Sequence, residues 1–154
     1  MIKILVNLTT SSRYQVDGNS MSPNLIGGQY LLAEHFRLPP NRLGRGDIVV
    51  LRHPQHTHRV YIKRIVGLPN ESISINKGAT LINDSPIEEP YLSANQLPKI
   101  EPYREWWNGP EEYFVMGDNR NDSEDSRRFG PINKELIIRR VWFRYWPPGD
   151  WGHI

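Results

Sequence analysis

The feature that most constrains the fold is a series of short strand-like runs, which turn residues separate at close spacing. Alternating or β-branched residues predict strands at residues 2–8, 13–16, 29–35, 47–53, 60–66, 72–75, 79–83, 113–116 and 137–145. Glycine, proline and asparagine fill the gaps between these runs. Helical patterns are confined to a short turn after Ser20 and another near residues 133–137. The pattern predicts a mainly β fold whose antiparallel sheets form a sandwich or a rolled-up barrel.

Length and composition predict one globular domain. The chain has 154 residues, which is enough to bury a core without disulfides. It contains no cysteine, so a disulfide framework and thiolate-bound metals are excluded. Basic and acidic residues number 19 and 17, a balance that argues against a nucleic-acid partner. We predict a single domain over residues 1–154 that uses no metal or cofactor.

The strand pattern breaks between Asp84 and Gly109, where prolines recur at short intervals. An irregular insert of this length inside a compact domain is usually a functional lid or cap. We therefore predict a cap over residues 84–110.

Ser20 is the first candidate for chemistry. Gly18 permits a positive φ just before it, and Pro23 suits the start of a short helix. A serine at such a strand end can present its hydroxyl and its own backbone N–H to an incoming carbonyl, as a nucleophile and oxyanion site require. Serine is also common in turns for local hydrogen-bonding reasons, so a turn or cap role stays open.

Lys63 is the second candidate. Alternation along its predicted strand places it on one face between Tyr61 and Ile65, with no other charge on that face. Desolvation there would lower the pKa of the amine, and a base near neutral pH needs a drop of about 2–3 units. The alternative is a surface lysine whose stem covers apolar neighbours.

A polar loop over residues 117–130 directly follows the apolar run at 113–116. It does not fit a calcium loop, because Arg120 occupies the third ligand position and no glycine stands at the sixth. The loop is either a solvated surface of mixed charge or a support that orients a catalytic group through hydrogen bonds.

Together these segments resemble the conserved boxes of bacterial type I signal peptidases. The boxes read Ser20-Met21-Ser22-Pro23, Gly46-Asp47-Ile48-Val49, Lys63-Arg64-Ile65-Val66-Gly67-Leu68-Pro69 and Gly117-Asp118-Asn119-Arg120-Asn121-Asp122-Ser123-Glu124-Asp125-Ser126-Arg127. Their order and spacing fit the family, and the last box is the most specific. The resemblance implies a partly open antiparallel β-barrel and a serine endopeptidase with a Ser/Lys dyad that acts through an acyl-enzyme.

The resemblance assigns the nucleophile to Ser20 and the general base to Lys63. Ser123 is expected to hydrogen-bond the lysine amine and aim it at Ser20. The expected supporting ion-pair network consists of Asp125, Arg127, Arg64 and Asp118. Gly18 departs from many Gram-negative members, which carry a serine there whose hydroxyl helps to hold the oxyanion. The Ser20 amide, with a backbone group or water near Gly18, would then donate to the oxyanion. Since one donor is worth ~3 kcal/mol, another donor should replace the missing hydroxyl.

The implied substrate is the cleavage region of an exported precursor, with small residues such as Ala at positions −1 and −3. It would bind as an added strand by backbone pairing, and no metal or cofactor is implied. The expected substrate-binding residues are Met21, Gln15, Val16, Asp17, Tyr61 and Ile62.

The family is membrane-associated, with its catalytic domain on the extracytoplasmic side. No stretch of this chain approaches the ~20 apolar residues of a spanning helix, and residues 1–8 lack the cleavage site of a signal peptide. Either a span lies upstream, or the domain binds the lipid surface. The apolar N-terminus and the aromatic C-terminal strand would form an interfacial patch, with core packing of the aromatics as the alternative.

Three other interpretations stay open. A self-cleaving peptidase of the LexA repressor kind needs an Ala-Gly or Cys-Gly bond, which this chain lacks. A non-catalytic β-barrel module that binds single-stranded nucleic acid would use the aromatics as a stacking platform, but it does not explain the spacing of Ser123, Asp125 and Arg127. The third is an inactive family member. The histidines at 53, 56 and 58 predict an exposed hairpin loop without metal.

Overall fold

The computed structural model describes residues 11–35, 43–93 and 102–154, which form mostly short strands. The strands are β1 (Ser12–Gln15), β2 (Tyr30–Glu34), β3 (Ile48–Arg52), β4 (Val60–Gly67), β5 (Ser72–Asn76), β6 (Ala79–Ile82), β7 (Ser85–Pro86), β8 (Arg104–Trp107), β9 (Glu112–Met116), β10 (Ile132–Asn133), β11 (Ile137–Trp146) and β12 (Gly152–His153). A short helix, α1 (Ser126–Phe129), and 3₁₀ turns at Lys134–Leu136 and Pro148–Asp150 accompany them.

Each predicted strand that falls on described residues is present, with both ends within one residue of the prediction. Residues 2–8 lie outside the described residues. The segment after Ser20 is a turn, and the region near 133–137 contains the 3₁₀ turn Lys134–Leu136. The sequence pattern missed β7, β8, β10, β12 and α1. β7, β10 and β12 have two residues each and α1 has four, which is too short for a local period to develop. β8 is as long as β1, but its residues Arg104–Trp107 do not alternate between apolar and polar, and it pairs with the sequence-distant β5.

The strands form two sheets, and every pairing is antiparallel. The larger sheet has the order β1-β2-β11-β3-β4-β9-β10, with β12 added to β11, and it does not close on itself. The smaller sheet has the order β7-β6-β5-β8. This arrangement confirms the predicted mainly β fold with a partly open barrel. Strands β7 and β8 lie inside the predicted cap, so part of that segment belongs to the smaller sheet.

The central strand β3 is buried on both faces. Its alternate residues Val49 and Leu51 pack in one apolar cluster with Ile65, while Ile48 and Val50 pack in another. The second cluster also contains Met21 and Leu25, which follow Ser20 in sequence, together with Leu31 and Val141. The turn that carries Ser20 is therefore anchored in the core rather than held at the surface.

Two strand edges stay open next to each other. In the described part of the chain, β1 pairs only with β2, and the first half of β4 pairs only with β3. Strand β9 joins β4 from Arg64 onward, so the edge at Val60–Ile62 keeps unpaired backbone groups. No helix in the described residues is long and apolar enough to cross a membrane.

Candidate active site

Ser20 lies in a tight turn between β1 and β2. The Val16 amide donates to Gln29 O at 2.8 Å and the Gly28 amide donates to Val16 O at 3.0 Å, which closes the base of this connection. Gly18 has φ +78°, a conformation that side chains with a Cβ rarely adopt, so glycine suits the turn. Met21 is 2% exposed and ties the turn to the core directly after the serine.

Lys63 reaches Ser20 from the neighbouring strand. Its Nζ donates to Ser20 Oγ at 2.7 Å, and the residue is 3% exposed in the middle of β4. Burial lowers the pKa of Lys63 to about 8, although the nearby Asp125, Glu124 and Asp118 act in the opposite direction. The structure therefore brings together a hydroxyl and an amine that is easily deprotonated, as the sequence predicted.

Asp125 organises the loop after β9. Its Oδ2 accepts the Gly117 amide at 3.0 Å, and its two oxygens accept Arg127 Nε and an Arg127 terminal nitrogen, each at 2.9 Å. Asp125 also caps the N-terminus of α1 by accepting the Arg127 amide. Burial alone would raise the pKa of Asp125, but the Arg127 guanidinium outweighs it and holds this pKa below its usual value. The carboxylate thus stays charged and keeps the loop closed.

A second buried ion pair joins the lysine strand to the same loop. Arg64 Nε donates to Asp118 Oδ1 at 2.8 Å, and a terminal nitrogen donates to Asp118 Oδ2 at 2.6 Å. Asn24, in the turn after Ser20, also donates to Asp118 Oδ2 at 2.9 Å. The residue next to Lys63 and the turn that carries Ser20 therefore share one buried carboxylate, which restrains their separation.

Ser123 is next to the dyad but does not make the predicted hydrogen bond. Its Oγ is buried without a hydrogen-bond partner, and the amine of Lys63 bonds Ser20 instead. The expectation that Ser123 bonds Lys63 is therefore not met in this structure, because its side chain packs against Gly117 instead.

Backbone contacts hold the serine turn against this loop. The Asn119 amide donates to Ser20 O at 2.9 Å, and Asn119 Nδ2 donates to Asn19 O at 3.2 Å. Within the described residues, nothing accepts the amide N–H of Ser20 itself. This free donor next to Oγ fits the expected oxyanion role of Ser20, and no side chain at Gly18 adds to it.

A cleft of about 700 Å³ opens beside the dyad. It contains all the predicted substrate-binding residues, and its lining consists of Tyr14, Gln15, Val16, Asp17, Gly18, Asn19, Ser20, Met21, Val60, Tyr61, Ile62, Lys63, Asp122 and Glu124. The open edges of β1 and β4 form its sides. An extended peptide between these edges could pair with backbone groups of either strand while its carbonyl faces Ser20.

The cleft wall contains a contact that the sequence did not reveal. Tyr61 Oη donates to Glu124 Oε2 at 2.5 Å, and His53 Nε2 lies 3.6 Å from Glu124 Oε1. His53 is 2% exposed, so the predicted exposed loop is wrong for this residue, although His56 and His58 are exposed. His53 is buried because its Nδ1 accepts two backbone amides of its own turn and its ring packs against Phe129.

The sequence also missed a polar cluster that the insert contributes. Arg120 is 2% exposed and pairs with Glu89, whose carboxylate also accepts the Tyr91 hydroxyl at 2.6 Å. Burial alone would raise the pKa of Glu89, but Arg120 holds it below the usual value. Since Glu89 and Arg120 lie 31 positions apart without a shared local pattern, only the fold brings them together.

Comparison with known proteins agrees with this geometry. A sequence model of the family described as "Signal peptidase, peptidase S26" matches residues 1–146. The chain is 34% identical to a signal peptidase I of Leptolyngbya laminosa, over 93% of this chain and 72% of that protein. It is 28% identical to signal peptidase IB of Staphylococcus aureus, over 99% of this chain and 87% of that protein.

A solved structure is also similar. The crystal structure of a signal peptidase I from Enterococcus faecalis V583 superposes with a TM-score of 0.55 at 25% sequence identity. The match covers 64% of this chain and 96% of that one.

Replacing Gly117 should separate the two dyad residues. A Cβ at this position would lie 2.2 Å from Ser123 Oγ and 2.5 Å from the Ser20 carbonyl oxygen, so the serine turn has to shift. Because a displacement of ~1 Å costs about 100-fold in rate, Gly117→Ala should acylate that much more slowly with a serine-reactive probe. Gly149→Ala is the control, since nothing lies within 4 Å of its Cβ. Equal acylation rates would show that the serine turn tolerates the shift.

Proposed function

Since the chain belongs to the signal peptidase family, peptidase S26, and is a serine endopeptidase that cleaves signal peptides, we propose that Ser20 is its nucleophile and Lys63 its general base. The observation that carries this assignment is the 2.7 Å hydrogen bond between Lys63 Nζ and Ser20 Oγ in a buried position. Family membership favours this function over self-cleavage of the repressor kind and over a binding module.

The reaction follows from this geometry in two stages. Neutral Lys63 takes the proton of Ser20 Oγ while Oγ attacks the scissile carbonyl carbon, and the Ser20 amide donates to the oxyanion that forms. The Lys63 ammonium then gives its proton to the leaving amine, which leaves an ester on Ser20. Lys63 next takes a proton from a water molecule that attacks the ester carbonyl carbon. The bond to Ser20 Oγ then breaks, Oγ takes the proton back from Lys63, and the carboxylic acid product leaves.

The supporting roles are part of the proposal. The ion pair of Asp118 with Arg64 holds the loop after β9 on the lysine strand, and the pair of Asp125 with Arg127 keeps that loop closed. Arg127 offsets part of the effect of the nearby carboxylates, and burial remains the largest influence on the pKa of Lys63. Ser123 is proposed to support the site through its side chain, which packs against Gly117.

The substrate is proposed to bind as an extended strand in the cleft. The backbone of Gln15, Val16 and Asp17 provides one edge, and that of Tyr61 and Ile62 provides the other. Met21 closes the floor, together with the side chains along both edges. The apolar residues in the lining, Val16, Met21 and Ile62, support a preference for small apolar side chains such as Ala at positions −1 and −3 of the precursor.

The domain layout and the position of the protein complete the proposal. Members of the family are membrane-associated and have an extracytoplasmic catalytic domain. We propose that residues 1–154 form one catalytic domain in which residues 84–110 cap the core. No anchor is visible in the described residues, and the N-terminal part of the suggested interfacial patch lies outside them.

A lipid-facing surface is supported by exposed apolar side chains in the C-terminal segment and in the turn after Ser20. Trp146, Trp151 and Ile154 are 51%, 64% and 39% exposed, and Ile26 is 46% exposed on the turn after Ser20. Side-chain bonds join these segments, since Gln29 Nε2 donates to Asp150 at 2.9 Å. We propose that this aromatic patch rests on the bilayer next to the cleft, where it would keep the active site close to membrane-held precursors.

Cleavage of a peptide that contains an Ala-x-Ala site should depend on both dyad residues. Ser20→Ala and Lys63→Ala should each lower kcat by at least about 1000-fold, because nucleophile and base act as one unit. Lys77→Ala is the matched control, since this exposed lysine is not in the cleft. Replacing Ala by Leu at position −1 should abolish cleavage by the unaltered protein. Activity retained in Lys63→Ala would refute the assigned base but leave the family assignment intact.

The pH dependence of cleavage should follow the lysine. Lys63 must be neutral to accept a proton, and its pKa is about 8, so the fraction of active enzyme falls as pH drops below that value. We expect kcat/KM to decrease about tenfold per pH unit below that point and to level off above it. Cleavage rates of the same peptide from pH 5 to about 10 measure this decrease. If kcat/KM instead begins to fall near the normal pKa of lysine, the amine is not desolvated.

Binding to lipid vesicles should depend on the C-terminal aromatic residues. Trp146→Ser with Trp151→Ser should weaken binding to phosphatidylglycerol vesicles by about tenfold or more, since each tryptophan loses apolar contact with the bilayer. Trp107→Ser is the control, because Trp107 is 63% exposed but lies on the smaller sheet. Vesicle co-sedimentation provides the measurement. Equal binding by the double variant and the control would place the lipid contact elsewhere.

A further inference from the structure

Glu89, in the insert, holds the loop after β9 through Arg120. Its carboxylate accepts two hydrogen bonds from the Arg120 guanidinium, one of them at 3.0 Å, and their side chains are 9% and 1% exposed. Arg120 Nε in turn donates to the Gly117 carbonyl at 3.1 Å. A buried charge in the insert thus fixes Gly117, which lies directly against Ser123 and the Ser20 carbonyl.

Tyr91 reaches the other two segments of the site. Its ring faces the guanidinium of Arg64, the residue that follows Lys63 on β4. The Arg64 Cζ lies 4.1 Å from the ring centroid. Its carbonyl accepts Asn24 Nδ2 at 2.7 Å, in the turn that follows Ser20. Its hydroxyl donates to Glu89 at 2.6 Å, which links both insert residues.

We propose that Glu89 and Tyr91 are positioning residues for the peptidase reaction, because their contacts hold the serine turn, the lysine strand and the loop after β9 around one centre. This inference rests on the proposed dyad. Neither residue lines the cleft, so neither contacts the substrate. They act through Arg120, Arg64 and Asn24.

The physical reason lies in the cost of an uncompensated buried charge. If Glu89 loses its charge, Arg120 remains nearly fully buried without its partner, and such a loss is strongly destabilising. The loop relieves this cost by moving Arg120 toward water, and Gly117 moves with it. Displacement of Gly117 loosens the wall around Ser20 and Lys63, which separates the dyad and lets water reach the amine.

The test compares Glu89→Gln and Tyr91→Phe with matched neighbours. Glu88→Gln and Tyr103→Phe are the controls, since both residues are exposed and lie outside the site. Cleavage of the Ala-x-Ala peptide is measured across pH, and the rate is normalised to the fraction of protein that a serine-reactive probe can acylate. Only folded, competent molecules then contribute to the rate.

We expect kcat of Glu89→Gln to fall about tenfold or more, because the distance between Ser20 and Lys63 changes. KM should stay within about twofold, because the strand edges that bind the substrate do not change. The loss of kcat/KM at low pH should begin at a higher pH in Glu89→Gln, because water reaches the amine of Lys63. Tyr91→Phe should show a smaller change in the same direction. The double variant Glu89→Gln with Arg120→Gln should lose no more than Arg120→Gln alone, because Glu89 acts through Arg120.

Several outcomes would overturn the inference. If a smaller fraction of Glu89→Gln is acylated by the probe, but kcat and its pH dependence are unchanged, Glu89 only stabilises the fold. If Glu89→Gln yields no folded protein, Tyr91→Phe decides, and equality with Tyr103→Phe refutes positioning. Ser20→Ala and Lys63→Ala are run in parallel. If these two variants keep activity, the proposed dyad fails. If they are inactive while Glu89→Gln cleaves as fast as the unaltered protein, only the role of the insert is refuted.

Discussion

The buried amine of Lys63 against the hydroxyl of Ser20 is the interaction on which the rest of the structure depends. A lysine in the middle of β4 is costly to bury, and this cost appears as a pKa lowered to about 8. The lowered pKa is what makes the residue useful, because an ordinary lysine stays protonated at neutral pH and cannot accept a proton. The unfavourable burial of Lys63 therefore provides an amine suited to the general base proposed above.

The surroundings of this amine consist largely of buried ion pairs. Arg64 with Asp118, Arg127 with Asp125 and Arg120 with Glu89 each place opposite charges in direct contact. Such pairs add little net stability after desolvation, but they allow few alternative arrangements of the chain. The pairs Arg64–Asp118 and Arg120–Glu89 join segments that are distant in sequence, whereas Arg127 and Asp125 restrain one loop from within. Apolar packing of Met21 and Leu25 adds to this by anchoring the turn that carries Ser20.

The cleft has a different origin, since backbone edges define it. Strand β4 is paired on both sides only from Arg64 onward, and β1 has one strand partner in the described part of the chain. Open edges generally invite unwanted pairing, and natural proteins usually cover them. Here the edges flank the dyad, so a substrate strand can fill the gap and be held at the point of attack. The same open topology that leaves the barrel incomplete thus forms the cleft in which we propose that the substrate binds.

The amino-acid sequence by itself determined the longer strands and the family, and it predicted Ser20 and Lys63 as the proposed dyad. Residues at period two predicted every longer strand among the described residues within one residue, and the boxes around Ser20 and Lys63 carry local signals in their order and spacing. Only the tertiary structure decided that Ser123 packs without a hydrogen bond, that His53 is buried, and that Glu89 and Tyr91 meet the catalytic loop. Local patterns report the period of one segment, whereas hydrogen bonds between distant polar side chains depend on the relative placement of several segments, which no single stretch encodes.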